Sequence, residues 1–134
     1  MSMTAFHRAL FAFWESISVN GATFPAYLVG AVPENAAFPY ITFDVRKGAA
    51  FTQAPLSATI WYKKENGDSK NIARAAFLDA AAKAIPEAGT RLDWEGGFCV
   101  IHRSSGDFLS LMTDEEDETV IGGRVGIEVT FYDM

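Results

Sequence analysis

Apolar and polar residues alternate with period two in two stretches of the first half of the chain. Ile41, Phe43 and Val45 alternate with Tyr40, Thr42, Asp44 and Arg46, and Leu56, Ala58, Ile60 and Tyr62 alternate with Ser57, Thr59 and Trp61. Successive side chains of a strand point to opposite faces, so each run predicts a strand with one apolar and one mixed face. Lys47 to Pro55 between them reads as a hairpin loop of nine residues. Hairpins usually turn in two to five, and longer loops tend to be functional or mobile. Phe51 sits in this loop with little local to pack against, which marks it as a candidate subunit contact.

Elsewhere the period is helical. Phe6, Leu10, Phe13, Trp14 and Ile17 form one continuous face, with Thr4 as a candidate cap and Asn20-Gly21 as the stop. A second helix is predicted from about Lys70 to Ile85, capped by Asp68 or Ser69 and ended by Pro86. Ala73, Phe77, Ala80 and Ala84 share one of its faces, which has few bulky ridges and suits close packing on a sheet. Short strands are predicted at 25–30, on either side of Gly96-Gly97, at 108–112 and, with Val125, Ile127, Val129 and Phe131 inward, at 124–132. Gly96-Gly97 and Gly122-Gly123 both read as hairpin glycines.

The predicted order is therefore α, β, β, β, α, β, β, β, β, with no repeat or linker dividing it. The expectation is a single α+β domain over 1–134. It is a two-layer sandwich in which two helices cover one face of a mainly antiparallel sheet.

Composition narrows the function. Hydrophobic residues make up 49% of the 134, with eleven Phe, three Trp and four Tyr, which is ample for one core. Charged residues are only 21%, so the surface carries more apolar and small polar area than an ordinary monomer, which points to an oligomer. A formal charge of −6 without a basic cluster opposes nucleic-acid binding, which draws its affinity from neutralised phosphates. The single cysteine, Cys99, cannot form an internal disulfide and suits a reducing compartment. No run approaches the roughly eighteen apolar residues of a membrane span, and the apolar beginning of the chain lacks a basic n-region and a cleavage site. The chain is expected to be soluble and made in the cytoplasm.

Candidate chemistry is sparse. His7 and His102 stand far apart in sequence, and no serine lies in a G-x-S-x-G setting, so no catalytic residue is assigned. Cys99 and His102 lack a second ligand pair at zinc spacing, and the glycine pairs do not sit at strand-to-helix turns, so no metal or cofactor site is assigned either. Trp61, Tyr62 and Trp94 read as core or interface aromatics rather than a pocket. The most distinctive polar segment is Asp114, Glu115, Glu116, Asp117 and Glu118, five consecutive carboxylates. They lack the alternating ligands and central Gly of a calcium loop. They are expected to form a solvated loop, disordered unless a partner or cation neutralises it. With Phe51 and Trp61, these five are the candidate oligomer or partner interface.

The order of elements, with a P-x-N-x-x-F-P-Y-I-T-F entry into a strand at 33–43, A-x-I-W-Y at 58–62, an Ala-rich helix, a Gly-Gly hairpin and F-L-S-L-M-T-D-E-E-D at 108–117, resembles the tail-terminator (minor tail, head–tail joining) proteins of long-tailed phages and prophages. The resemblance spans nearly the whole chain. It implies a non-enzymatic structural protein of the virion tail, assembled in the bacterial host cytoplasm. Its subunits would close as a hexameric ring that caps the tail tube and joins it to the head, with tail-tube and head-completion proteins as partners. It involves no cofactor, membrane or sequence-specific nucleic acid. The acidic loop would face the axial channel or a partner ring. The alternatives are a small α+β ligand-binding or enzymatic domain of bacterial metabolism, and a neighbouring neck or connector protein of the same virion.

Overall fold

A computed structural model of the chain describes residues 3–46 and 53–133. The elements follow the expected order: α1 (Met3–Ser16), β1 (Ala26–Leu28), β2 (Tyr40–Phe43), β3 (Gln53–Lys63), α2 (Asn71–Ala84), β4 (Thr90–Trp94), β5 (Gly97–Arg103), β6 (Leu109–Thr113) and β7 (Val120–Asp133). The fold is α+β, built on one mixed seven-stranded sheet in the order β1-β2-β3-β7-β5-β4, with β6 also on β7.

β7 is the spine. β3 pairs with it over 120–130 on one flank, while on the other flank β6 takes 121–125 and β5 takes 127–133. The change of partner falls at Gly126, whose carbonyl accepts from the Ser104 amide at 3.1 Å and whose own amide donates to the Phe108 carbonyl at 2.7 Å. A side chain here would overlap the Asp107 carbonyl, so the crossing from β5 to β6 needs glycine.

Every pairing is antiparallel except β1 with β2, which is parallel. The sheet is thus mainly antiparallel, and the one parallel pair arises because residues 29–39 are long enough to carry the chain back before β2 starts.

The core follows the helical and strand periods. Phe6, Leu10, Phe13 and Trp14 of α1 are buried, and Phe6 packs edge-on against Phe131 of β7 at 4.9 Å and against Trp94 of β4 at 5.8 Å. Full burial of one such ring is worth about 1.5–3 kcal/mol. α2 buries Phe77, Leu78 and Ala81, with Phe77 5.8 Å from Phe24. Two arginines tie α2 to the sheet. Arg74 donates to the Met112 and Gly122 carbonyls at 3.0 and 3.3 Å, and Arg103 donates to Ile85 and Ala82 at 2.7 and 3.0 Å. Arg103 thereby takes up carbonyls that the last turn of a helix leaves without partners.

Three local readings are corrected. α1 spans Met3–Ser16, so Thr4 lies inside it, and it ends at Ser16 rather than at Asn20-Gly21. Those two residues make a separate turn with positive φ, closed by reciprocal bonds between Val19 and Ala22 at 2.9 and 3.0 Å. Asp68 and Ser69 accept from the Lys70 and Asn71 amides, while the cap position itself is Lys70 in left-handed backbone. Gly122 and Gly123 are not hairpin residues but lie inside β7. A Cβ on Gly123 would come within 3.1–3.3 Å of three Leu78 carbons, and one on Gly122 within 3.0 Å of the Trp61 ring. Close packing from either side, not a turn, explains the pair.

Candidate functional site

The strand register decides which candidate residues meet. Trp61 of β3 stands opposite Tyr40 of β2 on one side and Gly122 of β7 on the other, and Met112 of β6 stands opposite Gly122 from beyond. Directly paired residues share a face. Tyr40, Trp61, Gly122 and Met112 therefore form a row across four strands, with Thr42 and Thr59 in the next row. The missing side chain at Gly122 lets the Trp61 ring lie over the backbone of β7. Its indole Nε1 donates to Thr42 Oγ1 at 3.0 Å, and Thr59 is 8% exposed with its hydroxyl 3.9 Å from the Met112 sulfur. Tyr40 extends the row through ring contacts with Phe38 at 5.0 Å and Tyr27 at 5.8 Å. The row is half-buried, so these aromatic faces reach the surface.

At its β6 end the row runs into the acidic segment. Trp61, Met112 and Thr113 line one shallow depression with Asp114, Glu115 and Glu116. Burial raises the Tyr40 phenol above its ordinary pKa, and the negative charge of Asp114 adds to the rise. Asp117 and Glu118 are exposed beyond the depression.

The acidic segment is a built turn, against the expectation of disorder. Asp114 Oδ1 accepts from the amides of Glu116 and Asp117 at 2.8 and 3.2 Å, and Asp117 Oδ1 accepts from the Thr119 amide at 2.9 Å and hydroxyl at 2.6 Å. Two of the carboxylates thus serve the loop's own donors, which offsets their mutual repulsion. The Thr119 hydroxyl and amide bonds hold the Asp117 carboxyl below its usual pKa.

Of the predicted interface residues, Trp61 and Asp114 to Glu116 are brought together, Asp117 and Glu118 flank them, and Phe51 lies outside the described residues. Tyr27, Tyr40, Thr42, Met112 and Gly122 were missed as members of the site. The alternation in Tyr40-Ile41-Thr42 already placed Tyr40 and Thr42 on the mixed face, but only the register sets them beside Trp61.

Other groups stay apart. Tyr62 faces the core and touches Phe24, and Trp94 packs on Phe6, so neither joins Trp61. Cys99 is fully buried, and burial pushes its thiol up to about 12. A second, polar depression is lined by Asp44, Arg46, Ser57, Ser104, Asp107 and Arg124. There Arg46 donates to the Pro55 carbonyl and lies 3.8 Å from Asp44, which itself accepts from the Ser57 amide at 2.7 Å. Its two arginines and two aspartates balance, and neither histidine lines it. Among the described residues, no group of three or more His, Cys, Asp or Glu side chains is placed to hold a metal ion, and no helix is long and apolar enough to cross a membrane.

In comparison with known proteins, no family model matches this chain, and no curated protein is significantly similar to it.

Proposed function

We propose that this chain is a structural subunit of a phage tail, resembling tail terminators, that works by forming a ring which caps the tail tube and joins it to the head. It acts by binding and geometry, without turnover. The observation that carries this reading is the row Tyr40, Trp61 and Met112 running into a turn of five carboxylates. Phe6 of α1 packs on Phe131, and Leu78 of α2 sits over Gly123, both odd-numbered positions of β7. We infer from these contacts that both helices cover one face in a two-layer sandwich, leaving the aromatic row open on the other.

A cyclic ring needs two different complementary patches on each subunit. Half-buried aromatic rings beside hydrogen-bonded polar groups have the composition of interface cores, and the aromatic row is one such patch. Carboxylates along a channel would keep DNA phosphates from adhering to its wall, which suits a conduit rather than a DNA-binding protein. The subunit would be found in the virion tail after assembly in the host cytoplasm.

The test converts Asp114 and Asp117 to Asn, and Glu115, Glu116 and Glu118 to Gln, in a phage that depends on this gene. The Asn amide oxygens still accept the turn's hydrogen bonds, so the subunit should fold and assemble. Infectious titre should fall at DNA passage or head joining. Unchanged titre would refute the channel role.

A further inference from the structure

Among the described residues, β1, β4 and β6 each present an outer edge of the sheet, and the three are not equivalent. At β1, the bonds Ile41 N–H to Pro25 and Val29 N–H to Phe43 turn Ala26 and Leu28 outward. The Ala26 amide is taken by Glu15 Oε2 at 2.9 Å, and the Leu28 carbonyl accepts from Ala31 at 2.9 Å. At β4, the edge carries the exposed ion pair Arg91–Asp93 at 2.7 Å. Short strands, local caps and edge charges are the ordinary ways of preventing edge pairing.

β6, as short as β4, carries neither a local cap nor an edge charge within its five residues. Gly126 donates to the Phe108 carbonyl and Asp114 to the Val120 carbonyl, so the even-numbered residues from 108 to 114 direct their backbone groups at β7. Leu109, Leu111 and Thr113 therefore direct theirs away from the sheet. Among the described residues, no hydrogen bond reaches them. The strand reads Leu-Ser-Leu-Met-Thr, without charge or proline, and Leu109 and Leu111 are 37% and 62% exposed.

We propose that the free edge of β6 pairs, antiparallel and about a two-fold axis at Leu111, with β6 of a second copy of this chain. Of the edges at β1, β4 and β6, that of β6 alone is unblunted among the described residues, and it is complementary to itself. Centring on Leu111 sets Leu109 against the second copy's Thr113 and Leu111 against its own equivalent, which satisfies every outward group of both strands. Paired side chains share a face, so the two Leu111 side chains also cover each other. The acidic turn follows directly after β6, so a parallel arrangement would set the two runs of five carboxylates side by side, whereas the antiparallel one sends them to opposite ends. The contact is two-fold and thus separate from the head-to-tail contact of the proposed ring. It stands whether or not that ring forms.

The test uses the full chain. Proline at 111 removes an outward donor and the leucine side chain, and leaves the ladder to β7 intact. Leu111→Pro should keep the native circular dichroism spectrum. Two lost backbone bonds, with the lost contact between the two leucines, should weaken dimerisation by at least about 30-fold by sedimentation equilibrium. Register is read separately by mild oxidation. Facing residues of a hydrogen-bonded pair have Cα atoms about 5.5 Å apart, within disulfide reach. Leu111→Cys alone should give a disulfide-linked dimer, Leu109→Cys alone should not, and a mixture of Leu109→Cys with Thr113→Cys chains should cross-link. Self-association of folded Leu111→Pro equal to wild type would overturn the proposal while leaving any larger ring species unexplained by β6. If Leu111→Pro fails to fold, cross-linking of Leu111→Cys no better than that of Leu109→Cys overturns it equally.

Discussion

Replacing Gly123 by Ala isolates the contact that seats α2 on the sheet. Its φ lies outside the left-handed region, so alanine meets no backbone strain, and on chain entropy alone would favour the folded state by about 0.5–1 kcal/mol. Against this, the new methyl would lie 3.1, 3.2 and 3.3 Å from Leu78 Cγ, Cδ2 and Cδ1, closer than carbons at their optimal separation of about 3.5–4.0 Å. Leu78 is 7% exposed and has little room to withdraw, so α2 must shift or the leucine must leave its rotamer, an overpacking cost of about 1–3 kcal/mol. The overlap outweighs the entropy gain. The expected net loss is about 1–2 kcal/mol, or roughly 4–7 °C in Tm for a chain of this length. Urea unfolding followed by circular dichroism measures it, with an unchanged slope as the condition for reading stability. Leu78→Ala alone should cost about 2–5 kcal/mol, and the double variant should lose less than the sum, since the first change makes the space the second needs. A Gly123→Ala protein as stable as wild type, or additive double-variant losses, would refute the close approach of α2.

Two further outcomes follow from the ionisable groups. With its thiol pushed up to about 12 by burial, Cys99 should react with an aromatic disulfide reagent at pH 8 about a thousandfold more slowly than an ordinary free thiol, and fully once the protein is unfolded in urea; rapid reaction of the native chain would contradict its place in the core. The lowered Asp117 carboxyl gives its turn a stability that is present above the ordinary value of 3.8 and is lost as pH falls through the lower folded value. The Thr119 amide resonance should therefore titrate with a midpoint below 3.8, and a midpoint at or above it would contradict the hydrogen bonds described.

The element order was legible because both periods are clear in this chain: Ile41 and Phe43, Leu56 to Tyr62 and Val125 to Phe131 alternate, and Phe6 to Trp14 recur at helical spacing. What stayed hidden was set by distant partners. Gly122-Gly123 looks in sequence like Gly96-Gly97, which does turn a hairpin, and only Leu78 and Trp61, supplied by other elements, make the difference. The direction of β1 was likewise undetermined, because a strand of three residues carries too little pattern to fix its partner. Trp61 and the acidic run were each visible as unusual, but their meeting in one depression depends on β6 pairing with the first half of β7. The order of the acidic turn is not legible in sequence, because a run of like charges shows its repulsion there but not the loop amides that Asp114 and Asp117 accept from.

The most direct test of the ring reading is the molar mass of the full-length protein, by light scattering across a concentration series, with electron microscopy of the largest species. The reading predicts a closed ring, six subunits by the resemblance to tail terminators, persisting in the Leu111→Pro variant because its contacts are not those of β6. A chain that remains monomeric, or no larger than a dimer, at every concentration and with tail tubes present would contradict it.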